Sequence, residues 1–474
     1  MPVDPTLAAR LAKNGQSHLL RWWDELDGPA RDSLTAELEA IDFDRLTTLV
    51  DELVLHEPET SPASDRIEPI QVSRLPRTDG ERVSRRHIAE VGSTALANGE
   101  VAVVVVAGGS GTRLGFEGPK GTYPIGPVSQ ASLFQIHAEK VAALSRRYGR
   151  VVPLYVMTSP ENNAATVAFF AERKDFGLQH VRFFVQGQMP AVDRATGKVL
   201  LAEKGHLALS PDGHGGTLAA LAAQGAGGSP SCLDEMRTMG VRTLFYFQVD
   251  NPLVKIADPA FVGLHRSANA EMSFKVVEKQ APDEKLGVVV SVDGKPQVIE
   301  YSDLPDELAE RRDPDGGLQL WAGSIAVHIL ERSFVERLVN GLHLPYHRAI
   351  KKVGFIDDAG NQVKPDLPNA VKFETFIFDA LPLAARFAIV ETDRAVEFEP
   401  LKNATGTESP TTVRQRMSDL FAAWLEAAGA HVSRRPDGSA AFPIEISPNF
   451  ALDSAELKAK LAHGLIVDAP LYLK

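Results

Sequence analysis

Glycine, hydroxyl and basic residues crowd into Ala107-Gly-Gly-Ser-Gly-Thr-Arg-Leu-Gly115, and Glu117-Gly-Pro-Lys-Gly121 follows at once. Glycine lets a backbone approach a ligand closely and aim its N–H groups at an anion or a base edge. Arg113 and Lys120 add positive charge to the same stretch. The chemistry this suits is the holding of phosphate. Two known phosphate-binding patterns do not match it. The P-loop needs a Gly-Lys pair followed by Ser or Thr, and none occurs. The dinucleotide fingerprint needs Gly-x-Gly-x-x-Gly, whereas Gly109, Gly111 and Gly115 run one residue longer. A tight turn with no ligand is the plain alternative.

Composition narrows the choice. With 474 residues the chain can bury a large core, divided over about two or three domains. A net charge of -12 argues against broad nucleic-acid binding, which calls for a basic face. If the substrates are phosphates, a few lysines and arginines must make the pocket locally positive within an acidic protein. No apolar run approaches the ~18 residues that span a bilayer, so no membrane partner is expected. The single cysteine, Cys232, rules out an internal disulfide framework and fits a reducing compartment. The first residues lack the profile of a secretory signal. A cytoplasmic location is the expectation.

The glycine loop needs a rigid support. Val101 to Ala107 is an almost unbroken β-branched apolar run, as expected of a parallel strand buried on both faces. Ligands in open α/β sheets bind beyond the carboxyl ends of such strands, which is where this loop lies. A helix is predicted from Leu133 to Leu144, a strand over Val151–Met157, and a helix from about Glu161. Further strands are expected at Val181–Val185 and Thr243–Val249, and a hairpin turn at Val292–Lys295. The alternation indicates a doubly wound α/β sheet, mixed but mostly parallel. Residues 1 to about 60 read as helical, a cap on the main domain, through Leu34, Leu38, Ile41, Leu46, Leu49 and Val50. The polar stretch Glu57–Ser84 reads as a long surface connection. The expected divisions are a helical segment and connection (1–90), a catalytic domain (91–400) and a small C-terminal domain (401–474), helical at first and strand-like at its end.

The loop, as Gly-Gly-x-Gly-Thr-Arg-Leu-Gly followed by Pro-Lys-Gly, resembles the nucleotide loop of the UDP-sugar pyrophosphorylases. It is most similar to that of the eukaryotic-type UDP-N-acetylglucosamine enzymes. Similar signatures recur in family order: Leu133–Gln135, Phe183–Ala191, Pro211–Gly216, Val249–Pro259 and Val298–Ser302. Leu344–His347 with Lys351 and Lys352, Lys364–Asn369, Phe376–Asp379 and Pro400–Asn403 continue the series. The resemblance runs from about 35 to 430.

It implies a nucleotidyltransferase (Rossmann-like) fold and roles for particular residues. Gly108, Gly109 and Gly111 would present backbone to UTP, and Gln186 and Gly213 would hold the uracil. Arg113, Lys120 and Lys402 would face the phosphates as the catalytic cations. Asp250 would hold Mg²⁺, the usual arrangement being one carboxylate plus substrate phosphates. Gly287, Glu300, Ser324, Phe376 and Phe378 fall at sugar-facing positions. Two departures leave the sugar open. His214 and Ser324 stand where the N-acetylglucosamine enzymes carry asparagine, and histidine at the first position is typical of UDP-glucose and broad UDP-sugar enzymes. By residue type alone, Asp250 could equally cap a helix and Lys402 lie on a solvated face.

The resemblance thus implies that UTP and a hexose-1-phosphate (N-acetylglucosamine-1-phosphate or glucose-1-phosphate) react to a UDP-sugar and pyrophosphate, in a monomer or weak homodimer. Two other classes compete. A nucleotide-dependent oxidoreductase would need an acidic ribose ligand after the second strand, where Thr158-Ser-Pro-Glu161 is a poor match. A non-catalytic UDP-sugar-binding protein would not need to keep Asp250, Lys120 and Lys402.

Overall fold

The protein is described by a computed structural model covering residues 2–56, 66–462 and 464–474. Two compact units make up the chain. The larger comprises Pro62–Val185, Ala220–Leu342 and Ala380–Lys474; the smaller comprises Met1–Ser61, Gln186–Ala219 and His343–Asp379.

The large unit is built on a ten-stranded sheet. Its strands are β1 (Ile67–Pro69), β2 (Val101–Val106), β3 (Leu154–Thr158), β4 (Val181–Val185), β5 (Thr243–Gln248), β6 (Met272–Glu278), β7 (Val288–Val292), β8 (Lys295–Ile299), β9 (Ala322–Glu331) and β10 (Phe387–Glu391). At its centre β4, β3, β2 and β5 run parallel in that order. Antiparallel β9 continues from β5, and the β7–β8 hairpin and β1 follow. β6 pairs with both β9 and β10. The sheet is therefore mixed with a parallel centre, as the alternating pattern predicts.

Val101 to Val105 are each at most 1 % exposed, and burying a side chain of this size stabilises by roughly 1.5–3 kcal/mol. The Leu133–Tyr148 helix covers these strands through Phe134, Val141 and Leu144. Ser132 caps its start by accepting the Gln135 N–H at 3.1 Å, and Gly149 ends it in a left-handed conformation. It runs four residues beyond the predicted Leu144. The β7–β8 turn places Asp293 and Gly294 at positive φ, the conformation that Asp-Gly favours between strands.

The polar stretch from Glu57 to Ser84 departs from expectation. Residues 57–65 lie outside the described residues, but Ile67–Pro69 is a strand paired with β7, and the Asp79–Ala97 helix begins within the stretch. The signal for that helix was local: Thr78 and Glu81 form a reciprocal capping box. Beyond residue 410 the Pro410–Ala427 helix and two short parallel strand pairs enclose their own apolar cluster, helix first and strands last as read.

In the small unit the Pro5–Lys13, Gly28–Glu39 and Phe43–Val50 helices share one core with residues far along the chain. Leu11, Leu34, Leu38 and Leu46 meet Val192, Val371 and Phe373. The last three belong to an antiparallel sheet of Tyr346–Lys351, Ala370–Thr375 and Val192–Asp193. No helix among the described residues is long and apolar enough to cross a membrane.

Candidate active site

The glycine loop leaves β2 and folds back on itself. Gly111 donates its N–H to the Gly118 carbonyl at 2.9 Å, and Lys120 donates its own to the Gly109 carbonyl at 3.0 Å. The next turn lies so close to Phe134 that a Cβ on Gly121 would come within 2.3 Å of the ring. Asn162 supports the loop from beneath: its Nδ2 donates to the Ala107 carbonyl at 3.0 Å and its Oδ1 accepts the Ser159 N–H at 2.9 Å. Sequence reasoning passed over Asn162. With both ends pinned, the N–H groups of Gly108, Gly109 and Ser110 donate to no acceptor among the described residues. Successive N–H groups in this state form an anion-binding concavity. Gly111, whose N–H is engaged, contributes shape instead. Arg113 is exposed beside them, in the Thr112–Leu114 turn.

Two further charges converge at the carboxyl end of β5. Lys120 Nζ lies 3.3 Å from Asp250 Oδ2, both side chains being largely buried. Asp250 accepts the Leu401 N–H on its backbone carbonyl at 2.8 Å, which draws the Phe398–Lys402 segment against the β5 end. Asp250 and Lys402 line one cavity of ≈70 Å³, together with Ser324 and Ala326 of β9. Ala326 sits at φ +55°, a conformation that costs a non-glycine residue about 1 kcal/mol, beside the irregular β6–β9 register. Lys402 Nζ is 3.1 Å from Glu408 and about a third exposed.

Gly287, Glu300 and Ser324 also come together. Ser324 donates its N–H to the Gly287 carbonyl at 2.8 Å, and a Cβ on Gly287 would approach Glu300 Oε1 to 3.3 Å.

The remaining predicted residues belong to the small unit. Gln186 Nε2 donates to the Gly213 carbonyl at 2.6 Å. Gly213 has φ +86°, and a Cβ there would lie 2.3 Å from the Thr375 carbonyl oxygen, so the Pro211–Gly216 turn tolerates only glycine at this point. The Asp212 carbonyl fixes the turn by accepting from both the N–H and the hydroxyl of Thr375, at 2.7 and 3.0 Å. His214 Nδ1 accepts the Ile377 N–H at 3.1 Å, which leaves the ring proton on Nε2. Burial, and secondarily the neighbouring His347, pushes its pKa down to about 4. Phe376 stacks on His214 and His347, with centroids 5.3 and 4.6 Å away, and lies 5.0 Å from Phe378. His347 Nε2 donates to Asp379 at 2.8 Å. The Leu344–His347 signature was legible, but its place in this aromatic cluster was not.

The residues at the β5 end can hold a divalent cation in one way. Among the described residues no group of three or more His, Cys, Asp or Glu side chains gathers into a ligand set. Asp250 offers a single carboxylate, and its Oδ1 accepts no hydrogen bond among the described residues. A hard cation that keeps waters and takes most of its ligands from substrate phosphates fits such a donor set.

A parallel-centred sheet with a glycine loop, two lysines and an aspartate at its strand ends defines a nucleotide-handling transferase. The chain belongs to the UTP–glucose-1-phosphate uridylyltransferase family, whose profile matches residues 48–423. It is 37 % identical to human UDP-N-acetylhexosamine pyrophosphorylase-like protein 1, over 100 % of this chain and 97 % of that protein. It is likewise 37 % identical to UDP-N-acetylglucosamine pyrophosphorylase of Saccharomyces cerevisiae (strain ATCC 204508 / S288c), over 88 % and 90 % of the two chains. Among solved structures, uridine diphosphate N-acetylglucosamine pyrophosphorylase from Trypanosoma brucei, in complex with an inhibitor, superposes with a TM-score of 0.83 at 27 % identity, covering 98 % of this chain and 99 % of that one.

Proposed function

We propose that this uridylyltransferase makes its UDP-sugar from UTP and N-acetylglucosamine-1-phosphate, releasing pyrophosphate. Uridylyl transfer itself follows from family membership over most of the chain. The choice of sugar is supported by relatives named for N-acetylglucosamine at 32–38 % identity.

A phosphate oxygen of the sugar phosphate attacks the α-phosphorus of UTP, a new P–O bond forms, and the bond to the β-phosphate breaks. The attacking phosphate is already ionised at neutral pH, so no general base is required. Rate must come from positioning and from neutralising two multiply negative reactants. Lys120 and the N–H groups of Gly108, Gly109 and Ser110 bind the triphosphate; Arg113 screens its outer charge; Lys402 faces the reacting phosphorus. Asp250 would hold Mg²⁺, which when bound supplies further positive charge to the phosphates. In the small unit Gln186 and Gly213 match the family's uracil-holding positions, and Phe376 and Phe378 its sugar-facing ones. The observation that carries this reading is the cavity shared by Asp250, Lys402 and Ser324, with Lys120 on Asp250.

A second reading, glucose-1-phosphate as substrate, is favoured by His214. A neutral imidazole with its proton on Nε2 donates one hydrogen bond to a sugar hydroxyl, where an asparagine could both donate and accept around an acetamido group. Incubating the protein with UTP, Mg²⁺ and each of N-acetylglucosamine-, glucose- and galactose-1-phosphate while measuring pyrophosphate decides the matter. The highest kcat/KM is expected with N-acetylglucosamine-1-phosphate. Preference for glucose-1-phosphate would transfer the assignment to the second reading, and no pyrophosphate with any sugar would reject both.

A further inference from the structure

Beneath the loops that carry Asp250 and Lys402 lies an ionic cluster that the proposed reaction does not use. Lys275, on β6, and Glu397 are 1 % and 2 % exposed. Lys275 Nζ donates to both Glu397 carboxylate oxygens, at 2.9 and 2.6 Å, and to Asp258 Oδ2 at 3.0 Å. Thr392 adds a hydroxyl hydrogen bond to Glu397 at 2.8 Å. Burial opposes charge on Lys275, yet Asp258 and Glu397 hold its pKa above the usual lysine value. Burial likewise opposes charge on Asp258, yet Lys275 and Lys255 bring its pKa below the usual carboxylate value. A buried polar cluster of this kind gives weak grounds for a stability role, because well-packed apolar residues often do as well.

What the cluster does grip is backbone. The Glu397 carbonyl accepts from Asn251 Nδ2 at 2.7 Å, and Asn251 Oδ1 accepts the Leu253 N–H at 3.2 Å. Four residues after Glu397, the Leu401 N–H closes on the Asp250 carbonyl at 2.8 Å. The Glu399 N–H also donates to Asn251 Oδ1 at 3.4 Å, so the segment bearing Lys402 and the loop bearing Asp250 are tied at three points, one of them through Glu397. From the other side, one face of the Leu133–Tyr148 helix holds the same loop. His137 Nε2 donates to the Val249 carbonyl at 2.9 Å, and Lys140 Nζ to those of Pro252 and Val254 at 2.6 and 2.9 Å.

We infer that Glu397, anchored by Lys275, is a positioning residue that sets Asp250 and Lys402 at a fixed separation for uridylyl transfer. This rests on the functional reading given above. A misplacement of about 1 Å costs on the order of 10²-fold in a positioned reaction, so a residue touching no substrate can still govern turnover.

A double-variant cycle tests it in the full-length protein. Pyrophosphate release from UTP and N-acetylglucosamine-1-phosphate is measured for the unaltered chain, Glu397→Gln, Lys402→Ala and the two combined. Glu397→Gln keeps the Lys275–Asp258 pair and the local volume. Glu397→Gln is expected to lower kcat roughly 10-fold while UTP KM moves less than about 3-fold, and its cost should shrink to less than about 2-fold once Lys402 is alanine. An unchanged kcat, or the same cost in both backgrounds, overturns the inference, since a merely structural defect adds independently. Should Glu397→Gln fail to fold, Thr392→Val, which removes one hydroxyl hydrogen bond from the same carboxylate, enters the cycle with the same criteria. An unaltered chain that releases no pyrophosphate with any sugar phosphate removes the functional reading and this inference with it. Equal costs in an active enzyme remove the inference alone.

Discussion

The large and small units carry candidate site residues of opposite character. In the large unit these are charges and bare backbone N–H groups at or against the ends of buried strands: Lys120 with Asp250, Lys402, and the Gly108–Ser110 turn. In the small unit they are an amide, a glycine turn, a neutral imidazole and two phenyl rings, held by carbonyls and stacking. Under the proposed function, the difference follows from what most of each set would have to meet. Phosphate demands preorganised charge, and charge half out of water must be fixed by stiff supports. A base and a sugar are read by hydrogen-bond pattern and shape, for which neutral groups lose less on leaving water.

Substitutions can break this contrast. The largest effects belong to the cations. Lys120→Ala or Lys402→Ala is expected to lower kcat by about 10²-fold or more at saturating substrate, comparable to losing one preorganised donor. Steady-state kinetics of pyrophosphate release measures it, and normal turnover in both variants would remove these residues from the chemistry. Next in size, Asp250→Asn should raise the Mg²⁺ concentration for half-maximal rate by roughly 10-fold; an unchanged Mg²⁺ titration separates Asp250 from the metal. In the small unit Phe376→Ala should act on binding. We expect KM for the sugar phosphate to rise about 10-fold with kcat changed less than about 3-fold, the mark of contacts made equally in ground and transition states. A fall in kcat with KM unmoved would place the ring among the transition-state groups.

The smallest effect is on stability. The His214 pKa is pushed down to about 4, against 6.5 for the ordinary side chain. Folded protein therefore keeps the ring neutral where unfolded chain takes up a proton. Its contribution is fully present above about pH 6.5 and is lost as pH falls towards 4. Urea unfolding at pH 7 and pH 5 should show a drop that His214→Asn reduces. An equal drop in both proteins would assign the pH dependence to other groups.

The same contrast governs what the sequence disclosed. Strand β2 could be read directly, because Val101 to Val106 is apolar throughout and Val101 to Val105 are buried on both faces. So could the β7–β8 hairpin, whose Asp293-Gly294 turn is a local signal. The small unit could not be read in this way. Its core joins Leu38, Val192 and Phe373, three segments with no shared local pattern, so its helices looked like a cap on something else. The site divided similarly. Arg113, Lys120 and Asp250 stood out through residue type, position after a strand or family resemblance. Asn162 and His137 did not, because their partners are backbone carbonyls set by tertiary folding, and Glu397 did not because its partners Lys275 and Asn251 lie far along the chain. Lys275 was hidden for another reason: a lysine inside a strand is ordinarily taken for a surface residue, and only the structure reveals its two carboxylate partners.

One measurement bears most directly on the claim that fixed cations at the strand ends carry the reaction. In a single-turnover experiment, UTP labelled at the α-phosphate is mixed with N-acetylglucosamine-1-phosphate and excess protein, and UTP binding is titrated in parallel. The account predicts label entering the UDP-sugar with the unaltered protein. With Lys402→Ala, transfer should be about 10²-fold slower, while UTP affinity changes by less than roughly 10-fold. Equal transfer rates, or a loss explained wholly by weaker UTP binding, would contradict it.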